Sequence, residues 1–193
     1  MKKIFIAFSI LLFLQSNLFA QNADINLLRT INLHRNKSLD PMFKTFTNSA
    51  TPVCVGLPIT MFTVSLINKD KNLQRQSYVV GASFLVSSVF STGLKYSFNR
   101  KRPFVTYPDI DKETSGGSPS FPSGHTTAAF ATATAISLAY PKWYVIAPSF
   151  IWAGAVGYSR MHLGVHYPSD VLVGALIGMG TSFLCYKINQ KIH

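Results

Sequence analysis

The sequence predicts an all-α protein, a membrane-embedded bundle of about five spanning helices that follows an N-terminal signal peptide or signal anchor. Apolar residues make up 48% of the 193 residues and charged residues only 13%, whereas an ordinary soluble domain carries about 25% charged residues. The apolar residues fall into windows without charges, separated by short basic loops. The length suits one domain, so we expect a single bundle rather than two units.

The first 20 residues have the pattern of a secretory signal. Two lysines precede the apolar run Ile4–Leu14, and the small residue Ala20 offers a cleavage point. Leu18 suits the −3 position less well than alanine, so an uncleaved first membrane helix is the alternative. Either interpretation carries the following chain across the membrane. We therefore divide the sequence into a signal peptide or anchor at 1–20 and a helical-bundle domain at 21–193.

Five charge-free windows then predict the membrane helices. They are Thr45–Asn68, Gln76–Leu94, Thr126–Pro141, Trp143–Ser159 and Val171–Tyr186. A span needs roughly 17–25 residues, so flanking residues must extend the shorter windows. Gly174 and Gly178 form a GxxxG pair, which allows two helices to approach closely.

Two features are expected before the first window. An apolar stripe predicts an amphipathic helix over Asp24–Arg35, which either lies in the membrane interface or is a plain surface helix. The pair Asp40-Pro41 predicts the start of the next helix, with the aspartate as its N-cap.

The distribution of charge predicts the topology. Lys69–Arg75, Lys142 and Lys187 fall on the cytoplasmic side if the windows cross in turn, and all three places are basic, as the positive-inside rule expects. The stretches Lys95–Ser123 and Arg160–Asp170 then lie outside. We expect a protein of the inner (cell) membrane whose polar chemistry faces the periplasm.

Three polar motifs lie in or beside these outer stretches, each where a predicted helix begins or ends. They are Lys95-x6-Arg102-Pro103, Pro122-Ser123-Gly124-His125 and Ser159-Arg160-x5-His166-x3-Asp170. Because all three lie on the same side, we expect them to meet at one membrane surface.

The residue types in these motifs favour phosphoryl transfer. Lys95, Arg102 and Arg160 supply the positive charges and donors that suit a phosphate dianion. Ser123 and Gly124 open a helix whose first backbone N–H groups can point at phosphate oxygens.

The histidines of the motifs supply the reactive groups. A histidine is a competent nucleophile, and the spacing of His166 and Asp170 at a helix start can bring them together. Asp170 can then fix the tautomer of His166, as the acid does in a catalytic triad. His125 can protonate a leaving oxygen and later activate water.

In this order the motifs resemble the three signatures of the type 2 phosphatidic acid phosphatase family, which is similar in its site to bacterial acid phosphatases and vanadium haloperoxidases. The resemblance implies an all-α fold and a phosphohistidine mechanism without metal or other cofactor. It implies His166 as nucleophile, Asp170 as its partner and His125 as general acid. The phosphate contacts it implies are Lys95, Arg102, Ser123, Gly124, His125 and Arg160.

The expected function is therefore an integral membrane phosphatase acting on a lipid phosphate or diphosphate monoester. Polyprenyl diphosphate, phosphatidylglycerophosphate, phosphatidic acid and a phosphorylated glycolipid are the candidate substrates. The expected partners are this substrate and membrane lipids, not nucleic acid. The alternatives are a soluble periplasmic acid phosphatase, a vanadate-dependent haloperoxidase, and a transporter or lipid-binding protein with a degenerate site.

Some residues near the motifs have no fixed expectation. His162 either touches substrate or lies outside the site, and Arg100 and Lys101 either hold lipid headgroups or are merely exposed. The long loop 103–121 lies beside the site, where long loops are often lids, and its role is left open. Its acidic residues either shield the basic site or confer solubility; they are Asp109, Asp111 and Glu113.

Overall fold

The computed structural model describes residues 22–192, and every regular element in that range is helical. The expected signal segment 1–20 lies outside the described residues. The helices are α1 (22–33), α2 (Asp40–Ile67), α3 (Lys71–Phe98), α4 (Pro103–Thr106), α5 (Gly124–Ala139), α6 (Trp143–His162) and α7 (Pro168–Ile192), with a 3-10 turn at Lys37–Leu39. The all-α class is confirmed, and each of the five windows forms a helix.

Three helical segments of the described chain are long and apolar enough to cross a membrane. They are Lys37–Ile67, Lys71–Thr106 and Pro168–Ile192. α5 has 16 residues and α6 has 20, so the expected total of five spans stays a prediction. Flanking residues extend the short windows of α6 and α7, as the span length requires, but α5 is no longer than its window.

α5 is the centre of the bundle and packs against α2, α3, α6 and α7. Its buried face is made of alanine and threonine, and such small side chains allow close packing on several sides. α7 approaches α5 through the predicted glycine pair, because a Cβ at Gly178 would meet the backbone of Thr127 and Ala131. A Cβ at Gly174 would lie 2.8 Å from the carbonyl oxygen of Ser123. The close helix approach expected from GxxxG is confirmed.

α3 presents a buried row of polar residues to the bundle. Ser83, Ser87, Ser91 and Lys95 are all buried and recur every four residues, the spacing of one helix face. The row carries the Lys95 ammonium to the interior at the end of α3. Asn99, in the left-handed conformation (φ 45°), then ends the helix.

The N-terminal helix packs on the protein through its apolar stripe. Ile25 and Leu28 are buried against Ile110 and Tyr167, so the structure supports the surface helix rather than a helix whose apolar stripe faces lipid. The expected N-cap was wrong: Leu39 is the N-cap of α2, and Asp40 is its first residue. The Asp40 carboxylate does not cap the helix because it is held by Arg35 and His162.

Candidate active site

The three motifs meet at one end of the bundle, as their common side predicted. α3 and α6 end there, and α5 and α7 begin there. Between them lies a cavity of about 190 Å³, lined by residues of α3, α5 and α6, by Arg102 and His166 just before α4 and α7, and by the loop 115–118. Six of the predicted site residues line it: Lys95, Arg102, Gly124, His125, Arg160 and His166. The cavity is therefore small, polar and cationic.

Lys95 and Arg102 are held in place by backbone carbonyl groups. The Lys95 ammonium donates to the carbonyl oxygens of Pro119 (2.8 Å) and Pro122 (2.7 Å), which leaves its third proton for a ligand. Arg102 donates from Nε to the Ser118 carbonyl at 2.8 Å and from Nη1 to the Val165 carbonyl at 2.9 Å. Because carbonyl groups carry no net charge, both cations keep their full charge toward the cavity.

Arg160 is the most deeply buried of the three cations, with 2% exposure. It donates from Nη1 to the Thr47 hydroxyl and from Nη2 to the Ser115 carbonyl at 3.2 Å. Its Nε is buried without a hydrogen-bond partner among residues 22–192. A buried donor in this state is costly, so an anion in the cavity can supply the missing acceptor.

His166 lies between the Asp170 carboxylate and the Arg102 guanidinium. Its Nδ1 is 3.4 Å from Asp170 Oδ2, and its Nε2 is 3.3 Å from Arg102 Nη1. Since a carboxylate oxygen can only accept and a guanidinium can only donate, this arrangement assigns the proton to Nδ1 and leaves Nε2 unprotonated, with Arg102 as its donor. Burial lowers the pKa of His166 to about 3, and the hydrogen bond to Asp170 only partly opposes it. The imidazole is therefore neutral near pH 7.

Asp170 lies behind His166, completely buried, and its two oxygens have separate partners. Oδ2 accepts from the Ser120 hydroxyl at 2.5 Å and from the Tyr167 N–H at 3.0 Å. Oδ1 accepts from Arg100 Nη1 at 2.8 Å. Sequence reasoning missed Ser120 entirely and left Arg100 open; only the basic run around Arg102 hinted at the latter.

Ser123 lies next to the cavity without lining it. Its hydroxyl oxygen accepts from the Thr126 hydroxyl at 2.8 Å, and its N–H donates to the carbonyl of Asp170 at 3.0 Å. It thereby fastens the start of α5 to the start of α7. Its role as a phosphate contact stays a prediction. The Ser123 side chain does not cap α5, so it leaves the first N–H groups of the helix to other acceptors.

His162 lies outside the site. It is buried, its Nε2 is 2.8 Å from Asp40 Oδ1, and its ring centroid is 4.2 Å from that of Phe43. Of the alternatives left open for this residue, the structure supports the one without substrate contact.

The acidic residues of the loop hold the loop in place. Asp109 pairs with Arg29 at 2.8 Å, and Glu113 pairs with Lys44 at 3.0 Å. Arg35, with no exposed side-chain surface, binds Asp111 and Glu113 together with Asp40. These ion pairs tie the loop to α1 and α2 and so fix residues 115–118 over the cavity.

The cavity places a buried histidine, backed by a carboxylate, beside three cations. This arrangement suits phosphoryl transfer. The PAP2 superfamily model matches residues 77–193. The chain belongs to the PAP2 superfamily, and it is a phosphatase, a hydrolase of phosphoester bonds.

Three similar proteins bear on its activity. It is 30% identical to an undecaprenyl-diphosphatase of Sulfolobus acidocaldarius over 86% of this chain and 79% of that protein. It is 40% identical to a lipid A 1-phosphatase of Porphyromonas gingivalis, over 51% of this chain but only 20% of that protein. The crystal structure of a transmembrane PAP2-type phosphatidylglycerolphosphate phosphatase from Bacillus subtilis superimposes with a TM-score of 0.73 at 26% identity, covering 90% of this chain and 88% of that one.

Proposed function

We propose that the protein hydrolyses the terminal phosphate of a lipid phosphate or diphosphate at the periplasmic face of the inner membrane, through a phosphohistidine and without a metal ion. The observation that carries this proposal is the position of His166. Its unprotonated Nε2 lies in the cavity beside Arg102, while its Nδ1 is held by Asp170. A neutral, oriented imidazole within a ring of cations has the arrangement that attack on a phosphate monoester requires.

In the first step Nε2 of His166 attacks phosphorus and the bond to the leaving oxygen breaks. Lys95, Arg102 and Arg160 bind the non-bridging oxygens, together with the first N–H groups of α5. Asp170 stabilises the positive charge that the ring acquires when the phosphorus–nitrogen bond forms. His125, at the start of α5, enters the step as the imidazolium, because the bound phosphate dianion offsets the neighbouring cations, and it donates its proton to the leaving lipid oxygen.

In the second step the phosphoryl group passes from His166 to water. His125, now unprotonated, accepts a proton from the water as it attacks phosphorus. The phosphorus–nitrogen bond breaks, His166 regains its lone pair, and inorganic phosphate leaves. Because three basic residues balance the phosphate charge in both steps, the mechanism has no need of a divalent cation.

The lipid nature of the substrate is supported by the similar proteins and by the shape of the site. The three relatives are named for undecaprenyl diphosphate, lipid A and phosphatidylglycerolphosphate, which are all membrane lipids with a terminal phosphate. The cavity of about 190 Å³ has room for a phosphate group but not for a lipid, so the rest of the substrate stays in the bilayer.

The periplasmic orientation is supported by the positions of the basic loops. The turn at 68–70, the turn at 140–142 and the end of α7 lie at the bundle end away from the cavity, where Arg75 donates to the Asn189 carbonyl at 2.9 Å. By the positive-inside rule this end is cytoplasmic, which places the cavity outside.

Alkaline-quench trapping tests the mechanism. Protein purified in detergent and mixed with a radiolabelled phosphomonoester should yield an acid-labile, base-stable phosphoenzyme, and His166→Ala should yield none. His162→Gln is the matched control, because it changes the neighbouring buried histidine outside the cavity, and it should be labelled like the wild type. A phosphoenzyme in His166→Ala would place the nucleophile elsewhere. Turnover of a panel of lipid phosphates then identifies the preferred headgroup.

Thiol labelling tests the orientation. In a Cys185→Ser background, a membrane-impermeant maleimide added to intact spheroplasts should label Lys101→Cys at the cavity end but not Lys71→Cys at the other end. Both positions are exposed, so lysed spheroplasts should show labelling of both. The reverse pattern would contradict a periplasmic site, and release of the protein by osmotic shock without detergent would contradict a membrane location.

A further inference from the structure

Arg100 approaches the catalytic carboxylate from the side away from His166. Its Nη1 donates to Asp170 Oδ1 at 2.8 Å and to the Ser169 hydroxyl at 2.7 Å. Its guanidinium carbon lies 3.8 Å from the ring centroid of Tyr167, the residue next to His166. Arg100 does not line the cavity, so these contacts connect it to the site only through Asp170 and the start of α7.

Asp24, in the N-terminal helix, holds Arg100 from the other side. Its Oδ2 accepts from Arg100 Nη2 at 2.7 Å and from the Ser169 hydroxyl at 2.5 Å. Its Oδ1 accepts from the Ser169 N–H at 2.9 Å, one of the first N–H groups of α7, which have no partner within the helix. Asp24 therefore supplies from α1 the cap and the negative charge that favour the start of α7.

We propose that Asp24 and Arg100 are positioning residues for phosphoryl transfer, and that helix α1 is thereby part of the catalytic apparatus. Because both act through Asp170, their roles rest on the proposed function. A carboxylate that orients an imidazole must present one particular oxygen to it. Arg100 binds Oδ1 of Asp170, so Oδ2 of Asp170 remains directed at His166. Asp24 in turn holds the Arg100 guanidinium in place.

The long contact between His166 and Asp170 makes this positioning important. The 3.4 Å between His166 Nδ1 and Asp170 Oδ2 is longer than an ordinary hydrogen bond. A small rotation of the carboxylate therefore decides whether this hydrogen bond forms or is lost. A misplacement of about 1 Å can cost on the order of 10²-fold in rate. The phosphate-binding cations do not contact Asp24 or Arg100, so substrate binding should be unaffected.

The test compares four single variants in detergent solution. Arg100→Gln removes the charge, Arg100→Lys keeps it, and Asp24→Asn keeps the size and the acceptor for Ser169 while weakening the bond to Arg100. Arg75→Gln is the matched control, because Arg75 is likewise a part-buried arginine, and it donates to Asn189 at 3.1 and 2.9 Å at the end of the bundle away from the cavity. Measurements are kcat, KM, inhibition by vanadate, the rate of phosphoenzyme formation, and Tm.

We expect kcat and the rate of phosphoenzyme formation to fall about 10- to 100-fold in Arg100→Gln and Asp24→Asn, with KM and vanadate inhibition unchanged. Arg100→Lys should retain more activity than Arg100→Gln, and Arg75→Gln should match the wild type. The double variant Asp24→Asn/Arg100→Gln should be little worse than Arg100→Gln alone, because Asp24 acts through Arg100.

Wild-type kcat in folded Arg100→Gln and Asp24→Asn would overturn the positioning role. So would a loss of activity that is fully explained by a smaller folded fraction, with a normal kcat per folded molecule. If Arg100→Gln fails to fold, kcat and the rate of phosphoenzyme formation in Asp24→Asn and Arg100→Lys test the positioning role by the same criteria. His166→Ala separates the two levels: if it retains activity, the proposed mechanism fails, whereas an inactive His166→Ala beside fully active Asp24 and Arg100 variants refutes the positioning role alone.

Discussion

The contact between α5 and α7 should be as important for activity as for stability, and Gly174→Ala tests this. Gly174 lies one turn after Asp170, and a Cβ there would be 2.8 Å from the Ser123 carbonyl oxygen, where ordinary contact begins at 3.4 Å. The two helices must therefore separate by about 0.6 Å at this level. Since α5 carries His125 and α7 carries Asp170, which contacts His166, the separation should move the proposed acid, His125, relative to the proposed nucleophile, His166.

The magnitude follows from the size of this shift. Overpacking of this kind costs typically about 1–3 kcal/mol of stability. A misplacement of about 1 Å can cost on the order of 10²-fold in rate. A shift of about half that size therefore predicts roughly a 10-fold loss in kcat/KM. Gly180→Ala is the matched control, because nothing lies within 4 Å of a Cβ at that position of the same helix, and alanine is favoured over glycine in helices by about 0.5–1 kcal/mol.

The assay is kcat/KM on a soluble phosphomonoester together with thermal unfolding of the same detergent preparation. Gly174→Ala should lose activity and stability, while Gly180→Ala keeps its activity and gains slightly in Tm. Wild-type kcat/KM in Gly174→Ala, or an equal loss in both variants, would refute the link between this helix contact and the geometry of the site.

Four further outcomes are expected. His125→Ala should lose about 10²–10⁴-fold on a lipid monophosphate but far less on nitrophenyl phosphate, whose leaving group needs no proton; equal losses in kcat/KM would contradict its role as acid. EDTA should leave activity intact and vanadate should inhibit; loss with EDTA and rescue by Mg²⁺ or Zn²⁺ would contradict the metal-free mechanism. Burial lowers the pKa of His166 from 6.5 to about 3, so between these two pH values the unfolded state binds more protons than the folded state. The wild-type Tm should therefore fall more steeply than that of His166→Gln as the pH drops below 6.5. Gly117 lines the cavity with nothing within 4 Å of a Cβ, so Gly117→Asp should raise KM and weaken vanadate inhibition by pairing with the cations, whereas Gly117→Asn should do neither.

The helices and the meeting of the motifs could be predicted because both depend on local sequence. Stretches without charged residues predict the helices directly. Helices that cross the membrane in turn bring every second loop to the same side. The spacing of His166 and Asp170 is likewise local, since a helix start brings residues four apart together. These features need no knowledge of how distant segments pack.

The residues that escaped prediction owe their positions to contacts between distant segments. Ser120 reaches Asp170 across 50 positions of the chain, and Asp24 reaches Ser169 across 145. Asp40 has the local pattern of an N-cap, yet Arg35 and His162 hold its carboxylate. The spacing of residues along the sequence does not predict these contacts, because each depends on where the bundle places the ends of its helices.

The distribution of the acidic residues explains why the cavity remains cationic. The sequence has seven of them, and all but Asp70 lie at the cavity end. Five make ion pairs with cations outside the cavity: Asp24 with Arg100, Asp40 and Asp111 with Arg35, Asp109 with Arg29, and Glu113 with Arg35 and Lys44. The sixth, Asp170, binds Arg100 and His166.

Within residues 22–192 no carboxylate is therefore left within ion-pair distance of the three cavity cations, Lys95, Arg102 and Arg160. Their neutral carbonyl and hydroxyl partners satisfy hydrogen bonds without cancelling charge. Like charges held together in a buried site repel one another, and a phosphate group relieves that repulsion when it binds. The ion pairs of the scaffold thus serve the chemistry indirectly, because they use up the acids that would otherwise compete with the substrate.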